Sequence, residues 1–270
     1  MSLFRFAIST LCLSSLLTLN ACSKQEETSK DNAIVATTPV TGEASTLTER
    51  NALQRLSNTL ETNLKNAGVA TKVVSIHPTE IKDMYWVVLE DFPSLFVSAN
   101  GQYVFQGDLM RLGDKKVENI TEKLQSISNK VEFDKLNPKD LIIYNAKGKA
   151  KHVVYVFTDA SCPYCHKFHE QMDDINNKGI EVRYIAWPRG EQFFPTMEGV
   201  WCSDDRKAAL DAAFVSAQMT ANNCKNPVMD QYKLGHKIGV NGTPAIYSDS
   251  GQYLGGYLST QELLEKLQSK

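Results

Sequence analysis

Leu53, Leu56, Leu60 and Leu64 recur at spacings of three and four, which places them on one face of a helix. Thr46 and Glu49 stand at capping-box spacing ahead of that stripe, and Gly68 supplies a C-terminal stop. The pattern then changes to β-branched and aromatic runs: KVVSI at 72–76, YWVVLE at 85–90, and LFVSA and QYVFQ on either side of Asn100-Gly101. Asn-Gly between two such runs is the strongest short hairpin signal. One helix and a small sheet, about seventy residues in all, form a unit whose single core is only marginally stable. Burial against a second copy would help it.

From 114 to 136 the chain reads DKKVENITEKLQSISNKVEFDKL, with Val117, Ile120, Leu124, Ile127 and Val131 forming a narrow stripe on an otherwise polar helix. Such a stripe suits a connecting rod, with a coiled-coil seam as the competing reading, and Pro138 ends it. Beyond Pro138, α and β signals alternate. HVVYVF at 152–157 reads as an apolar strand, the CPYC segment opens a helix, IEVRYIAW at 180–187 is a strand, and DDRKAALDAAFVSAQM at 204–219 is helical. A helical stretch near 228–238, a strand at 244–247, a Ser-Gly turn at 250–251 and a closing helix from Thr260 complete a mixed α/β layout. No fixed-period repeat is visible.

The N-terminus sets the compartment. Residues 1–21, MSLFRFAISTLCLSSLLTLNA, begin with one positive charge at Arg5 and continue through an apolar run too short for a comfortable membrane span. A secretory signal segment fits this pattern. Leu19-Asn20-Ala21-Cys22 resembles the lipobox of bacterial lipoproteins, in which the cysteine is diacylated, although Asn20 is an unusual residue there. Lipid attachment at Cys22 and ordinary cleavage both export the chain. Residues 22–45 are polar and aperiodic, a tether with a reach of roughly 25 to 30 Å. With 29 basic against 31 acidic side chains and 42% hydrophobic residues, the composition gives no reason to expect a nucleic-acid partner.

The six cysteines stand at 12, 22, 162, 165, 202 and 224. Cys12 leaves with the signal, Cys22 is a lipid carrier or part of the mature end, and the remaining four allow three pairings. The spacing suggests a local pair, Cys162 with Cys165, and a loop closed by Cys202 and Cys224. That second bond would contribute roughly 3 kcal/mol on the chain-entropy account.

FTDASCPYCHKFH, residues 157–169, admits three chemistries. Cys162-Pro163-Tyr164-Cys165-His166 matches the c-type haem attachment pattern. Against haem stand the strand-to-helix context and the lack of any reason to single out one of the seven methionines as an axial ligand. Cys162, Cys165, His166 and His169 are a legitimate zinc set by type. Their spacing is wrong, because one helix would have to wrap all of them around a tetrahedron. Thiol exchange asks only for what is present. Pro163 suits the first helical position, so Cys162 sits at the helix start, where free N–H groups and the helix dipole favour a thiolate. Cys165 lies one turn further in on the same side. On this reading Cys162 is the exposed attacking sulfur and Cys165 resolves the mixed disulfide. His166 reads either as a surface helix residue or as a cation that stabilises the thiolate, and His169 as an ordinary helix residue. No cofactor and no metal are expected.

VFTDASCPYCHKFHEQM, GIEVRYIAWPRG, VWCSDD and GVNGTPAIYSDSGQYLGGY closely resemble the bacterial periplasmic disulfide isomerases of the DsbC type, and GQYVFQGDL and DLIIYNA extend the likeness loosely forward. The resemblance implies an α+β and α/β chain: a C-terminal thioredoxin-like domain with a helical insertion at 138–270, a linker helix at 114–137, and a small N-terminal α+β, cystatin-like dimerisation domain at 46–113. It implies a V-shaped homodimer whose cleft takes misfolded exported proteins, and a membrane thiol reductant of the DsbD type. It assigns Cys162 as nucleophile and Cys165 as its partner, and pairs Cys202 with Cys224. Thr243-Pro244, with Pro163 and Tyr164, forms the substrate-binding active-site loops, and the Thr243-Pro244 bond is cis, a state rare for any X-Pro bond.

The chain also departs from the type. Pro-Tyr between the cysteines, where the isomerases have Gly-Tyr, resembles the sister DsbG type, linked to reduction of single oxidised cysteines. Thioredoxins carry a buried acid six residues before the first cysteine, where this chain has Val156; Asp159 lies nearer and is either a proton acceptor or a loop residue. The expectation is therefore an exported thiol:disulfide isomerase, with sulfenic-acid reduction and chaperone-like holding as alternatives.

Overall fold

The computed structural model describes residues 47–113, 116–215 and 224–269. The signal segment, Cys22, the tether, Thr46 of the capping box and the last turn of the helix expected to reach 219 lie outside the described residues.

The N-terminal unit begins with α1 (Leu47–Asn66), whose stripe buries Leu53, Leu56 and Leu60. It continues through β1 (Val73–Pro78), β2 (Met84–Leu89), β3 (Leu95–Ser98) and β4 (Val104–Phe105), an antiparallel sheet in the order β1-β2-β3-β4. Side chains alternate across a strand, and here both faces are covered. Val87, Leu89 and Val97 pack with α1. Trp86, Val88 and Phe96 pack with Ile120 and Leu124.

Those last two residues belong to α2 (Ile120–Asp134), preceded by a hairpin of β5 (Met110–Leu112) and β6 (Val117–Asn119). This corrects the expected linker helix at 114–137. Asn119 is extended, and its side chain accepts the Glu122 N–H at 2.9 Å, a cap that starts the helix at Ile120. Val117 is paired with Leu112 in the hairpin and is no part of the helical stripe.

Nor is α2 a bare rod. Its buried positions are Ile120, Leu124, Ser128, Asn129 and Phe133, while Val131 is exposed. Two of them are polar and invisible to a hydrophobic pattern: Ser128 Oγ accepts from Trp86 Nε1 at 3.2 Å, and Asn129 Nδ2 donates to the Gly251 carbonyl at 3.0 Å. Gly251 has a positive φ of 85°, and a Cβ there would run into the α2 backbone at Ser126 and Lys130. Only glycine lets the helix come this close.

The C-terminal unit comprises β7 (Ile142–Tyr144), β8 (His152–Thr158), α3 (Pro163–His169), α4 (Met172–Asn177), β9 (Ile180–Ala186), α5 (Phe194–Trp201), α6 (Arg206–Val215), α7 (Val228–Lys237), β10 (Ala245–Ser248), β11 (Tyr253–Gly255) and α8 (Thr260–Gln268). Its sheet runs β11-β10-β8-β9-β7, with β8 and β9 parallel and every other pair antiparallel. The parallel pair needs a crossover, which α3 and α4 supply. Side chains of α3, α5, α6 and α8 share one core with Val154, Val156, Val182 and Tyr184. On the other face Phe133, at the end of α2, packs with Tyr155, Phe157 and Tyr247. Thus α2 closes one core at its start and another at its end.

Candidate active site

β8 ends at Thr158, and Asp159 to Cys162 form the turn into α3. Cys162 is the N-cap, with an extended backbone, and Pro163 is the first helical residue. The turn is held from below. Asp159 is fully buried; its Oδ1 accepts from Ser161 N and Oγ, both at 2.8 Å, and its Oδ2 accepts from Arg189 N at 2.8 Å and Nε at 3.3 Å. Arg189 Nη2 also donates to the Ser161 carbonyl at 3.0 Å. Both carboxylate oxygens of Asp159 are therefore engaged in shaping the loop, and none of these four bonds goes to a cysteine sulfur. Arg189 was missed from sequence; its only signal was a place in the WPRG segment.

The two sulfurs differ in kind. Cys162 and Cys165 are both free thiols. The Cys162 pKa is lowered to about 5, first by a hydrogen bond from the Cys165 thiol, then by Thr243 and the backbone N–H groups of Cys165 and Tyr164, against the opposing effect of burial. The Cys165 pKa is pushed well up, first by burial, then by the hydrogen bond its thiol makes to Cys162 and by that neighbour's charge, with Thr158 and the Asp159 backbone pulling the other way. One sulfur ionises because the other keeps its proton.

The Thr243-Pro244 peptide is cis, and as a thiol Cys162 donates to the Thr243 carbonyl at 3.2 Å. That bond favours the protonated form and is outweighed by the donors. Among the described residues, the buried hydroxyls of Thr243 and Thr158 have no nitrogen or oxygen partner. Each acts on one of the two sulfurs. Thr158, like Arg189, was missed from sequence; its only signal was a place in the VFTDASCPYC segment.

Cys162 is not the exposed sulfur that its position at the helix start suggested. It is 2% exposed, beneath the Thr243 carbonyl, while its neighbours Ser161, Pro163 and Tyr164 are open to solvent. Helix position says nothing about a loop that arrives from 81 residues away in sequence. His166 likewise lacks any described contact with the Cys162 sulfur. Its Nε2 lies 3.5 Å from Glu170 Oε1 and its ring stacks on Phe214. Cys202 and Cys224 form a disulfide with Cα atoms 5.9 Å apart, remote in sequence from the thiol pair. Among the described residues no cluster of ligands suits a metal ion.

The thioredoxin-like domain family matches residues 139–270, and the disulfide bond isomerase protein N-terminal domain family matches residues 38–140. The thiol:disulfide interchange protein DsbC of Dickeya dadantii is 36% identical over 201 residues, 72% of this chain and 82% of that protein. Its Escherichia coli K12 counterpart is 34% identical over 206 residues, 74% of this chain and 84% of that protein. The chain belongs to the DsbC family. It is thus a thioredoxin-like thiol:disulfide oxidoreductase of the isomerase class, and the pair at 162 and 165 stands at the N-cap and in the first turn of α3 in its thioredoxin-like domain. A crystal structure of a disulfide interchange protein from Neisseria gonorrhoeae aligns with 50% of this chain and all of its own at 25% identity and a TM-score of 0.41, too partial a likeness to add weight.

Proposed function

We propose that this protein reduces and reshuffles incorrect disulfides in exported proteins, with Cys162 as nucleophile and Cys165 as resolving thiol. The observation that carries the reading is the opposed shift of the two thiols, one lowered to about 5 and the other raised, one helical turn apart. A thiolate at neutral pH attacks a client disulfide, and a partner still holding its proton leaves time for exchange before it closes the ring. Thr243, Pro244, Pro163 and Tyr164 form the client-binding rim; Tyr164 is 61% exposed and supplies apolar surface beside the sulfur. Cys202–Cys224 is structural.

Isomerisation requires the pair to be kept reduced, which makes a membrane thiol reductant of the DsbD type a partner. A homodimer is the working assembly. The edge strand β4 and its surroundings favour it, since Tyr103, Val104, Phe105, Leu112 and Val117 are all large, apolar and exposed. The location is the periplasm, given the N-terminal segment; no helix among the described residues is long and apolar enough to cross a membrane. Attachment through a lipid on Cys22 is the finer reading, checked by labelling the mature chain with palmitate.

Recovery of activity from scrambled ribonuclease tests the isomerase. The Pro-Tyr dipeptide favours a second reading, reduction of sulfenylated single cysteines. A chain that reduces a sulfenylated peptide but leaves scrambled ribonuclease scrambled has that second activity instead. Suppression of aggregation that survives loss of both cysteines would mark a holding function.

A further inference from the structure

With Cys165 as the resolving thiol, as proposed above, it has to lose a proton before it can attack. Among the described residues, the hydrogen bonds at its sulfur involve Cys162, Thr158 and the Asp159 backbone, none of them a carboxylate or an imidazole. Val156, in the same core as the pair, is apolar, and the Asp159 carboxylate is bonded to Ser161 and Arg189.

One turn beyond Cys165 on the same helix face stands His169. It is no ordinary helix residue: its side chain is 13% exposed, its Nε2 lies 2.8 Å from Asp211 Oδ1, and its Nδ1 lies 3.1 Å from Tyr184 Oη. A carboxylate only accepts, so Nε2 carries the hydrogen and Nδ1 is left to accept the Tyr184 hydroxyl proton. Tyr184 hangs from β9 as the register partner of Val156 and belongs to the same core as Cys165. The elements around Cys165 thus deliver, one strand over, the acid–base group that Val156 lacks.

We propose that Asp211, His169 and Tyr184 form the proton-accepting relay for Cys165 in the resolving step. The Cys165 thiol proton passes to Tyr184 Oη as the Tyr184 hydroxyl proton passes to His169 Nδ1, leaving an imidazolium against the Asp211 carboxylate. The Cys165 thiolate attacks Cys162 Sγ, the bond from Cys162 to the client sulfur breaks, the Cys162–Cys165 disulfide forms, and the client sulfur leaves with the electron pair as a thiolate. In the resting structure Tyr184 Oη is bonded to His169, so the first transfer follows a side-chain rotation that brings the Cys165 thiol and Tyr184 Oη together.

The electrostatics agree. Burial lowers the His169 pKa against the pull of Asp211, which keeps the ring in its basic form at neutral pH, and charge on Cys165 is felt at Tyr184. The titratable groups facing His169 are Tyr184 from β9, Asp211 from α6, Tyr144 from β7, and His166 on its own helix. Tyr144 Oη also donates to Asp211 Oδ1 at 2.5 Å, and Lys207 stands over the Tyr144 ring. His169 and Asp211 act through Tyr184 and are positioning residues.

Stopped-flow reaction of the reduced full chain with dithiobis-nitrobenzoate separates the steps, since attack by Cys162 releases one coloured thiolate and attack by Cys165 releases the second. For the native chain the second phase rises with pH as His169 becomes neutral and levels off above that titration. Tyr184→Phe and His169→Gln are each expected to slow the second phase relative to the first by about 100-fold at neutral pH. Their second phase should also climb steadily with pH, following thiol ionisation, so that the deficit narrows in alkali. Asp211→Asn, at a half-exposed position, should show a smaller loss with the same change of slope, and carries the test if either buried variant fails to fold. A native rate and a native pH profile in the folded variants overturn the relay. A native chain with no second phase overturns instead the assignment of Cys165 as the resolving thiol.

Discussion

The described residues hold two cysteine pairs, and they end in opposite states. Cys202 and Cys224, separated by 22 positions, are joined, whereas Cys162 and Cys165, one turn apart, are free thiols. The distant pair closes a loop, and on the proposed structural role its value lies in the unfolded chain, whose freedom it restricts. The adjacent pair closes almost no loop, and its value lies in the difference between its two sulfurs. One is surrounded by donors and ionises; the other is enclosed by apolar side chains and does not. On the proposed function, proximity in sequence marks the chemical pair and environment divides the labour within it.

The largest break in this comparison comes from Cys162→Ser, which is expected to abolish both insulin reduction and ribonuclease reshuffling; retained insulin reduction would refute the nucleophile. Cys165→Ser keeps the attacking thiolate and removes its resolver. Client proteins should then accumulate as mixed disulfides, seen as bands on non-reducing gels that disappear with reductant. Cys202→Ala with Cys224→Ala should cost about 3 kcal/mol of stability in urea unfolding, and a loss confined to redox activity with stability intact would reverse the assignment of that pair.

Ionisation of Cys162 gives a finer test. Its folded pKa of about 5 lies below that of a free thiol, near 8.5. The alkylation rate should therefore inflect near pH 5. By linkage, the reduced fold gains stability as pH rises from the folded value to the free-thiol value, stays level above it, and loses that gain as pH falls toward the folded value, whereas Cys162→Ser shows no such rise. An inflection at the free-thiol value would remove the physical basis of the proposal. The smallest effect is expected of Thr243→Val, which withdraws one hydroxyl from Cys162 and should raise its pKa by about one unit or less.

Much of this was legible beforehand where short-range pattern carries the information. The leucine stripe of α1, the Asn100-Gly101 hairpin, the apolar strand before CPYC and the closing helix follow from local periodicity and turn chemistry. The pattern was silent on β7, only three residues long, and on α5, an eight-residue segment apolar on several sides. It misread residues 117–119 because three residues of strand leading into a helix share the helix's spacing until a cap interrupts it. It missed the burial of Ser128 and Asn129 because polar side chains enter a core only when a distant partner, here Trp86 or Gly251, meets them.

By itself the sequence determined the alternation of helix and strand, the family, and the presence of a thiol pair at a helix start, since each depends on residues within a few positions of one another. The tertiary structure decided which groups surround those thiols. Thr243 over Cys162, Arg189 on Asp159, and Tyr184 and Asp211 on His169 all come from other elements. A sulfur's acidity and access depend on the charges, donors and cover around it in space, and those are set by packing between segments that local pattern cannot relate.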